Sequence, residues 1–456
     1  MNATDAALIA TASASDKLSK SLRARHLVMI SIGGIIGAGL FVSSSAAIAS
    51  IGPAVILSYL SAGIVVYAVI RILARMAMDQ PGLGSFTEYV RTALGGGAGF
   101  VTGWLYWWFW VVVIAIEALA GAATVRIWLP MFEIWQIGLA LMAVLTAVNL
   151  TSARSYGEFE FWFASIKVAA IVVFIVVTAS WLLGVGNPSS PGFSNLTAHQ
   201  GFAPFGLGAI LGGVTTVIFS MVGAEIVTVA AAESVESNKT MSRMAATVVL
   251  RILMFYVLSI ALTLCVVPWI DFKGTESTFA VALDHVGIPG AATIMNVVVL
   301  TAVLSCLNSG VYVTARVLFV LADKGDAPRW LTAVNKRHVP TRAILLGSVF
   351  GFLVMFMTWV TPEKLFTFLL NSCGALMLFT YIFVVWAHFR FPYKDQALRG
   401  GMGTKLVAGG AGVAMLGVLI AMSFMPNKQP EMVASGACLA IIVVALVIKR
   451  AMHKTA

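Results

Sequence analysis

Apolar runs of about 20 residues, the shortest 16 and the longest 30, alternate with short polar segments along almost the whole of this 456-residue chain. A run of this length spans the hydrocarbon core of a bilayer when it folds as an α-helix. About twelve runs meet this criterion: 27–49, 54–70, 98–125, 134–150, 161–183, 205–232, 245–267, 291–320, 343–360, 365–389, 406–422 and 433–448. The pattern predicts an all-α integral membrane protein with about twelve transmembrane helices.

Charged residues are few, and they are unevenly placed between the runs. Only 11% of the chain is charged, against about a quarter in a soluble globular protein. Basic residues concentrate in the segments 17–25, 71–91, 316–342, 390–405 and 449–454, whereas the opposite loops carry Arg126, Lys273, Lys364 and Lys428. Because basic loops stay in the cytoplasm, we expect both termini there. The net charge of +10 then reflects topology rather than nucleic-acid binding.

Glycines interrupt the first apolar run. Gly33, Gly34, Gly37 and Gly39 all lie in the segment 31–41, and glycine is the poorest helix former after proline. Unwound backbone is tolerated at membrane depth only where it lines a cavity or is buried in protein. The cluster therefore predicts a helix that unwinds partway across the bilayer. The alternative is close packing of two helices over small residues.

The sixth run contains a second interruption, in the segment 219–228, where Gly223 precedes Glu225. If five helices repeat in inverted orientation, the first and sixth runs begin corresponding halves, and matching interruptions point to a transporter site. A half-helix that begins in the membrane offers N–H groups to a carboxylate, and one that ends there offers carbonyls to an ammonium. Two such breaks suit an amino acid substrate.

A few ionisable residues lie inside the runs, where a charge is costly and needs a reason. Lys167 could gain and lose a proton during transport, or its long stem could carry the ammonium to the cytoplasmic headgroups. Glu117 could pair with a substrate ammonium, carry a proton, or stay neutral and hydrogen-bonded in the bundle. Glu225 could line the site or cap the second half-helix.

Other polar features are predicted near the cytoplasmic side. Arg154 and Glu158 are expected in a charged loop, either as solvated ion pairs or as an inner gate. The aromatic residues at 104–110 are expected to pack against neighbouring helices. A polar stripe on one face of the eighth helix should face the bundle interior; it comprises Asn308, Ser309, Tyr312 and Arg316.

Together these residues resemble the amino acid permeases of the amino acid–polyamine–organocation superfamily, and most closely the bacterial amino acid transporter family. The likeness runs nearly end to end, in the blocks 25–26, 33–41, 52–54, 84–86, 103–107, 157–162, 223–225 and 231–234. It implies two inverted five-helix repeats, with broken first and sixth helices, plus two extra helices. We therefore expect a disordered cytoplasmic tail at 1–24, a transporter core at 25–400, and two additional helices with a cytoplasmic C-terminus at 401–456.

The resemblance also implies proton-coupled uptake. Lys167 matches a membrane lysine that takes the place of sodium in some superfamily members, and Glu117 is the second candidate for proton coupling. Phe219 is a candidate gate across the site. The implied substrate-binding residues are Gly33, Gly34, Gly37, Ala38, Phe219, Ser220, Gly223 and Glu225.

The likeness extends to the substrate. Segments 40–45 and 104–110 look most like those of family members that carry γ-aminobutyrate (GABA). Aromatic and D-serine permeases tend to have threonine where this chain has Ala38, and a linear ω-amino acid without an α-ammonium would not need that hydroxyl. The prediction is a proton symporter that imports GABA or a similar ω-amino acid across the bacterial cytoplasmic membrane. A permease for an α-amino acid (proline, aromatic or small neutral) and an amino acid exchanger remain alternatives.

Other classes of protein fit the sequence less well. A nutrient sensor would call for a long cytoplasmic signalling domain, and a channel for rings of charge or carbonyls. The chain lacks HExxH and GxSxG motifs, and its four cysteines and six histidines are scattered. We predict no enzyme activity, no cofactor and no metal. The expected partners are the amino acid, the proton and the lipid bilayer.

Overall fold

A computed structural model describes residues 24–80, 85–151, 153–185, 192–226, 238–274, 276–359, 362–426 and 428–455. Within these residues the protein is helical and contains no strand. The helices are α1 (Ala24–Ile35), α2 (Ala38–Phe41), α3 (Ser43–Ile51), α4 (Val55–Asp79), α5 (Phe86–Leu94), α6 (Gly96–Arg126), α7 (Ile134–Asn149), α8 (Ala153–Leu182), α9 (Gly206–Ile218), α10 (Asn238–Val266), α11 (Thr278–Val286), α12 (Ala291–Asp323), α13 (Thr341–Met357), α14 (Pro362–Arg390), α15 (Gln396–Arg399), α16 (Met402–Phe424) and α17 (Gln429–Thr455).

Every predicted apolar run overlaps at least one helix. In the described part of the chain, eight helical stretches are long and apolar enough to cross a membrane, and three apolar helices are shorter. The predicted tail at 1–24 lies almost entirely outside the described residues, and the block 231–234 lies wholly outside them. The chain is therefore a multi-pass helical membrane protein.

The loop predicted around Arg154 and Glu158 is wrong, because α8 already begins at Ala153. The side chains of Tyr156 and Glu160 are buried in this first part of α8. Hydropathy placed the start of the span too late, since it counts Glu160 as a surface residue. Tertiary packing instead extends the helix beyond the apolar run.

The first apolar run is broken, as its glycines predict. α1 ends at Ile35, the chain bends at Ile36 and Gly37, and α2 begins at Ala38. Gly33 and Gly34 remain in the last turn of α1, so the unwinding is confined to the region of Gly37. The break leaves the carbonyls at the end of α1 and the N–H groups at the start of α2 without their usual helical partners.

The sixth run is also broken. α9 ends at Ile218, a single 3₁₀ turn covers Phe219–Met221, and Val222 is extended. Gly223 follows with a φ of 131°, a conformation that residues with a side chain rarely adopt. Residues 227–237 fall outside the described part of the chain.

α6 lies at the centre of the bundle. Within its most apolar 18-residue window 83% of the residues are buried inside the protein, against 17% for the peripheral α17. A helix that is apolar on all sides is typical of one enclosed by other helices. Small residues allow close approach there: Gly121 faces Leu141 and Val303.

One end of the bundle is held by an ionic cluster. Arg91 of α5 pairs with Glu88, at 3.0 Å, and with Asp326, which follows α12. Lys449 of α17 pairs with the same Asp326. Ser85 caps α5 by accepting a hydrogen bond from the backbone of the following turn. The cluster joins α5, the end of α12 and α17.

Candidate functional site

The two breaks lie directly against each other. A Cβ atom added to Gly223 would lie 2.6 Å from the carbonyl oxygen of Gly34, and one added to Gly39 would lie 2.5 Å from Cα of Ser220. Such distances are shorter than real contacts, so only glycine permits this approach. The interruptions that lie far apart in the sequence therefore form one site.

The carbonyl end of α1 is occupied by donors from neighbouring helices. Lys167 of α8 donates from Nζ to the carbonyl of Gly33 at 2.8 Å, and its side chain is fully buried. Tyr256 of α10 donates to the carbonyl of Ile35 at 3.1 Å. Lys167 thus does not extend to the headgroups, and that alternative is wrong. Its ammonium lies where a half-helix presents negative partial charge.

The N–H end of α2 is occupied by a carboxylate. The backbone N–H of Ala38 donates to both oxygens of Glu117, at 3.1 and 3.0 Å, and Glu117 is buried. A Cβ at Gly37 would lie 2.5 Å from Oε1 of Glu117 and 2.7 Å from Cβ of Cys306. Glu117 is therefore hydrogen-bonded at the positive end of the half-helix, a favourable place for a negative group.

The break in the sixth apolar run, called the sixth break from here on, is organised around Glu225. Its carboxylate accepts from the N–H of Gly223 at 3.2 Å, from the hydroxyl of Tyr106 at 3.2 Å and from the hydroxyl of Tyr381 at 3.3 Å. Phe219 and Ser220 are buried beside it. Glu225 therefore caps backbone at the turn and also binds two helices, α6 and α14. The two side chains described here as its hydrogen-bond donors, Tyr106 and Tyr381, are neutral hydroxyls.

All ten residues predicted for substrate binding or proton coupling lie at these two breaks. The glycines, however, have different parts in the geometry. Gly33 and Gly34 present carbonyls, whereas the donor in contact with a carboxylate is the N–H of Ala38. The backbone donor that holds a carboxylate is thus at the start of α2 and does not come from the three glycines.

Glu160 is a site residue that sequence reasoning missed. It is fully buried in α8, its Oε1 accepts a hydrogen bond from Ser305, and it lies against the face of Gly33 where a side chain would otherwise project. It stands two turns before Lys167 on the same face of the helix. A carboxylate and a lysine seven residues apart lie on one face of a helix, so this spacing could have identified Glu160 as a partner of Lys167. The prediction of a loop at this position prevented that inference.

Tyr106 and Tyr381 were also missed as site residues. Tyr106 lies in the aromatic segment 104–110, which is predicted to form an interfacial belt and to pack against helices, and Tyr381 lies within α14. A single tyrosine in an apolar run gives no sign of its partner, so only the fold could assign these hydroxyls to Glu225.

A layer of polar and aromatic side chains lies between the breaks and the end of the bundle that carries the ionic cluster. Tyr156 stacks on Tyr312 with ring centroids 4.1 Å apart, and the guanidinium of Arg316 lies 4.0 Å from the centre of the Tyr312 ring. Ser309 is within hydrogen-bonding distance of the Tyr156 hydroxyl, at 3.0 Å. The polar stripe predicted on the eighth apolar run lies on α12 and therefore faces the interior, as predicted.

A cavity opens at the other end of the bundle. It has a volume of about 400 Å³ and is bordered by the ends of α6 and α11 and the start of α12. Val42, the residue between α2 and α3, also lines it. Glu276 and Asp284 contribute carboxylates to its wall, so the approach to the first break from this side carries negative charge.

The fold and the site together define a class: a helical membrane protein with two interrupted helices in contact, whose backbone ends bind one ammonium and one carboxylate. The family model for amino acid permeases matches residues 26–453, and the chain belongs to the amino acid permease family. The resemblance found in the sequence is confirmed.

Three individual proteins are similar to this chain over most of its length. The γ-aminobutyric acid permease of Bacillus subtilis is 41% identical over 444 residues, covering 95% of this chain and 94% of the relative. A probable GABA permease of Pseudomonas aeruginosa is 47% identical over 384 residues, covering 83% and 81%. An aromatic amino acid transport protein of Corynebacterium glutamicum is 37% identical over 381 residues, covering 82% and 81%.

Proposed function

We propose that this protein imports GABA, or a similar ω-amino acid, together with a proton across the bacterial cytoplasmic membrane. Transport proceeds by alternating access around the two contacting breaks. The observation that carries the proposal is the occupancy of the first break: an ammonium on the carbonyl of Gly33 and a carboxylate on the N–H of Ala38. Here the backbone ends bind an ammonium and a carboxylate that belong to side chains of the protein. The same backbone ends are suited to the ammonium and the carboxylate of an amino acid.

The proposed architecture has about twelve membrane-spanning helices. Two inverted five-helix repeats begin at α1 and α9, and α16 and α17 follow as the extra pair, after a core that ends near residue 400. Both termini are cytoplasmic, because the basic loops then lie inside. The ionic cluster of Arg91 and Asp326 is then at the cytoplasmic end, and the cavity with Glu276 and Asp284 opens outward.

In this proposal the substrate binds by exchange with protein groups. An ionised carboxylate is a stronger acceptor than a protonated one, so a proton that reaches Glu117 weakens its hold on the Ala38 N–H. The substrate carboxylate then takes that donor. Binding of the proton and binding of the substrate favour each other, which is the coupling that a symporter requires.

Lys167 is the second coupling group. Its ammonium holds the Gly33 carbonyl and interacts electrostatically with Glu117 and Glu160. When Lys167 loses its proton, the carbonyl end of α1 is released, and this end belongs to the segment that must move between the two access states. The carboxylate and hydroxyls at Glu225 shape the ammonium end of the site, and Phe219 serves as a gate.

GABA is the favoured substrate because the permeases named for it match the chain at 41% and 47% identity. Ala38 agrees with this choice, since a linear substrate has no α-ammonium that would need a hydroxyl there. An α-amino acid is the second candidate, and the 37% identity to an aromatic amino acid transport protein supports it.

The test is uptake of labelled GABA by purified protein in proteoliposomes, with and without an inward proton gradient. Unlabelled proline, phenylalanine and alanine serve as competitors. We expect gradient-dependent accumulation that resists these competitors. Uptake of a competitor but not of GABA would move the substrate to an α-amino acid. Uptake that requires internal substrate and ignores the gradient would identify an exchanger.

A further inference from the structure

The buried carboxylate of Glu160 has no part in substrate binding as proposed above. It is fully buried, and its Oε2 has no hydrogen-bond partner among the described residues. A buried polar atom of this kind is costly, and native proteins retain it where it has a task. The inference that follows rests on the proposed proton-coupled uptake.

Glu160 and Lys167 converge on the same backbone unit. Lys167 holds the carbonyl of Gly33, and Oε1 of Glu160 lies against the Cα of the same residue. The two residues are seven positions apart in α8, about 10 Å along the axis. Glu160 is the nearer of the two to the start of the helix, which is the cytoplasmic end in the proposed orientation.

A line of hydroxyl groups continues from Glu160 in that direction. Ser305 of α12 donates to Oε1 of Glu160, and Ser309 follows one turn later on the same face. Ser309 contacts the hydroxyl of Tyr156, which stacks on Tyr312. All four side chains are buried. Together they connect the first break with the layer near the cytoplasmic end.

Other titratable groups face Glu160 from several elements. Lys167 and Tyr156 lie on its own helix, and Cys306 and Arg316 face this region from α12. Glu117 of α6 also interacts electrostatically with Lys167. Of these groups, Lys167 is the cation that interacts with both carboxylates.

We propose that Glu160 accepts the transported proton from Lys167 and passes it to the cytoplasmic side. The N–H bond of the Lys167 ammonium breaks, an O–H bond forms on Glu160, and a neutral amine and a neutral carboxylic acid result. The ammonium leaves the Gly33 carbonyl for this step. Two opposite charges in a medium of low dielectric constant are removed together, so the step does not change the net charge of this buried cluster.

The carboxylic acid of Glu160 then releases its proton along the Ser305, Ser309 and Tyr156 hydroxyls when the inner layer opens. Glu117 and Glu160 thus act with Lys167 at different steps, the first in proton entry and the second in proton exit. This division explains why α8 carries a carboxylate two turns from its lysine.

The test uses Glu160→Gln in full-length protein in proteoliposomes. Glutamine retains an oxygen that accepts from Ser305 but cannot take a proton. Two modes are compared: gradient-driven accumulation of labelled GABA, and exchange of external labelled GABA for internal unlabelled GABA at equal pH. Exchange requires no net proton release, so it isolates the movement of the loaded carrier. Asp271→Asn, at an exposed carboxylate at the end of a 3₁₀ turn, is the control.

We expect Glu160→Gln to retain exchange of GABA but to lose accumulation above the equilibrium level. Glu160→Asp should restore accumulation with a shifted pH profile. Parallel loss of both modes in Glu160→Gln would overturn the relay and leave a structural role, and unchanged accumulation would overturn it outright. If Glu160→Gln does not fold, an unshifted pH profile in Glu160→Asp overturns the proposal. Absence of gradient-driven uptake in the wild-type protein would instead refute the proposed function itself.

Discussion

The two breaks share one backbone device and differ in what holds it. At the first break the free ends of α1 and α2 bind Lys167 and Glu117, two groups of opposite charge that come from different helices. At the sixth break a single carboxylate, Glu225, is held by a backbone N–H and by the neutral hydroxyls of Tyr106 and Tyr381.

This difference separates two tasks. A pair of opposite charges on the two ends of a half-helix changes its interactions whenever one of them gains or loses a proton. A carboxylate surrounded by hydroxyls and a glycine turn is a fixed arrangement that orients groups without exchanging charge. We therefore expect the first break to couple transport to protons and the sixth break to set substrate affinity.

The largest effect is expected when the cation of the first break is removed. Lys167→Ala should abolish GABA accumulation, because the Gly33 carbonyl loses its donor and the proton path loses its central group. The measurement is uptake into proteoliposomes under an inward proton gradient. Accumulation at the wild-type level in this variant would remove Lys167 from the mechanism.

Two amide substitutions compare the carboxylates directly. In wild-type protein, GABA affinity should rise as pH falls, because protonation of Glu117 releases the Ala38 N–H. In Glu117→Gln, which cannot take a proton, affinity should no longer depend on pH. In Glu225→Gln affinity should fall while its pH dependence remains. Binding of labelled GABA at acidic and neutral pH distinguishes the two, and a pH dependence lost only in Glu225→Gln would reverse the assignment.

Glycine substitutions probe the rigidity of each break. Gly223→Ala should destabilise the protein by about 1–3 kcal/mol or more, because the new Cβ meets the Gly34 backbone and φ is unfavourable. Gly37→Ala should cost less, since the atoms it meets belong to the side chains of Glu117 and Cys306, which can shift.

Thermal unfolding of the detergent-solubilised variants provides the measurement for both glycines. Gly417→Ala is the matched control, because a Cβ there meets nothing within 4 Å. We expect it to be neutral or slightly stabilising, as alanine favours a helix over glycine. A larger loss in Gly37→Ala than in Gly223→Ala would show that the first break is the more rigid one.

The smallest expected effect concerns one hydroxyl of the sixth break. Tyr381→Phe removes the hydrogen bond that the Tyr381 hydroxyl donates to Glu225, which is worth about 0.5–1.5 kcal/mol, or about 2- to 12-fold in KM. The pH profile of uptake should stay unchanged. Tyr67→Phe, on a half-buried tyrosine of α4 whose ring lies near Arg71, is the control. A changed pH profile in Tyr381→Phe would mean that the sixth break also titrates.

Sequence reasoning reached most of the site because membrane chemistry is restrictive. Glycine clusters in the first and sixth runs and the buried positions of Lys167, Glu117 and Glu225 stand out against apolar surroundings. Glu160 did not stand out, because it precedes the apolar run and was assigned to a loop. Tyr106 was assigned to packing, since an aromatic residue among five others has no distinguishing pattern.

The sequence alone determined that this is a helical membrane protein of the amino acid permease kind, and that two of its helices are interrupted. Those features follow from hydropathy, charge placement and glycine content, which act locally along the chain. Only the tertiary structure decided which group meets which: that Lys167 holds Gly33, that Glu117 holds Ala38, and that Gly34 touches Gly223. Such contacts join helices far apart in sequence, and close packing selects them through shape, which no local pattern records.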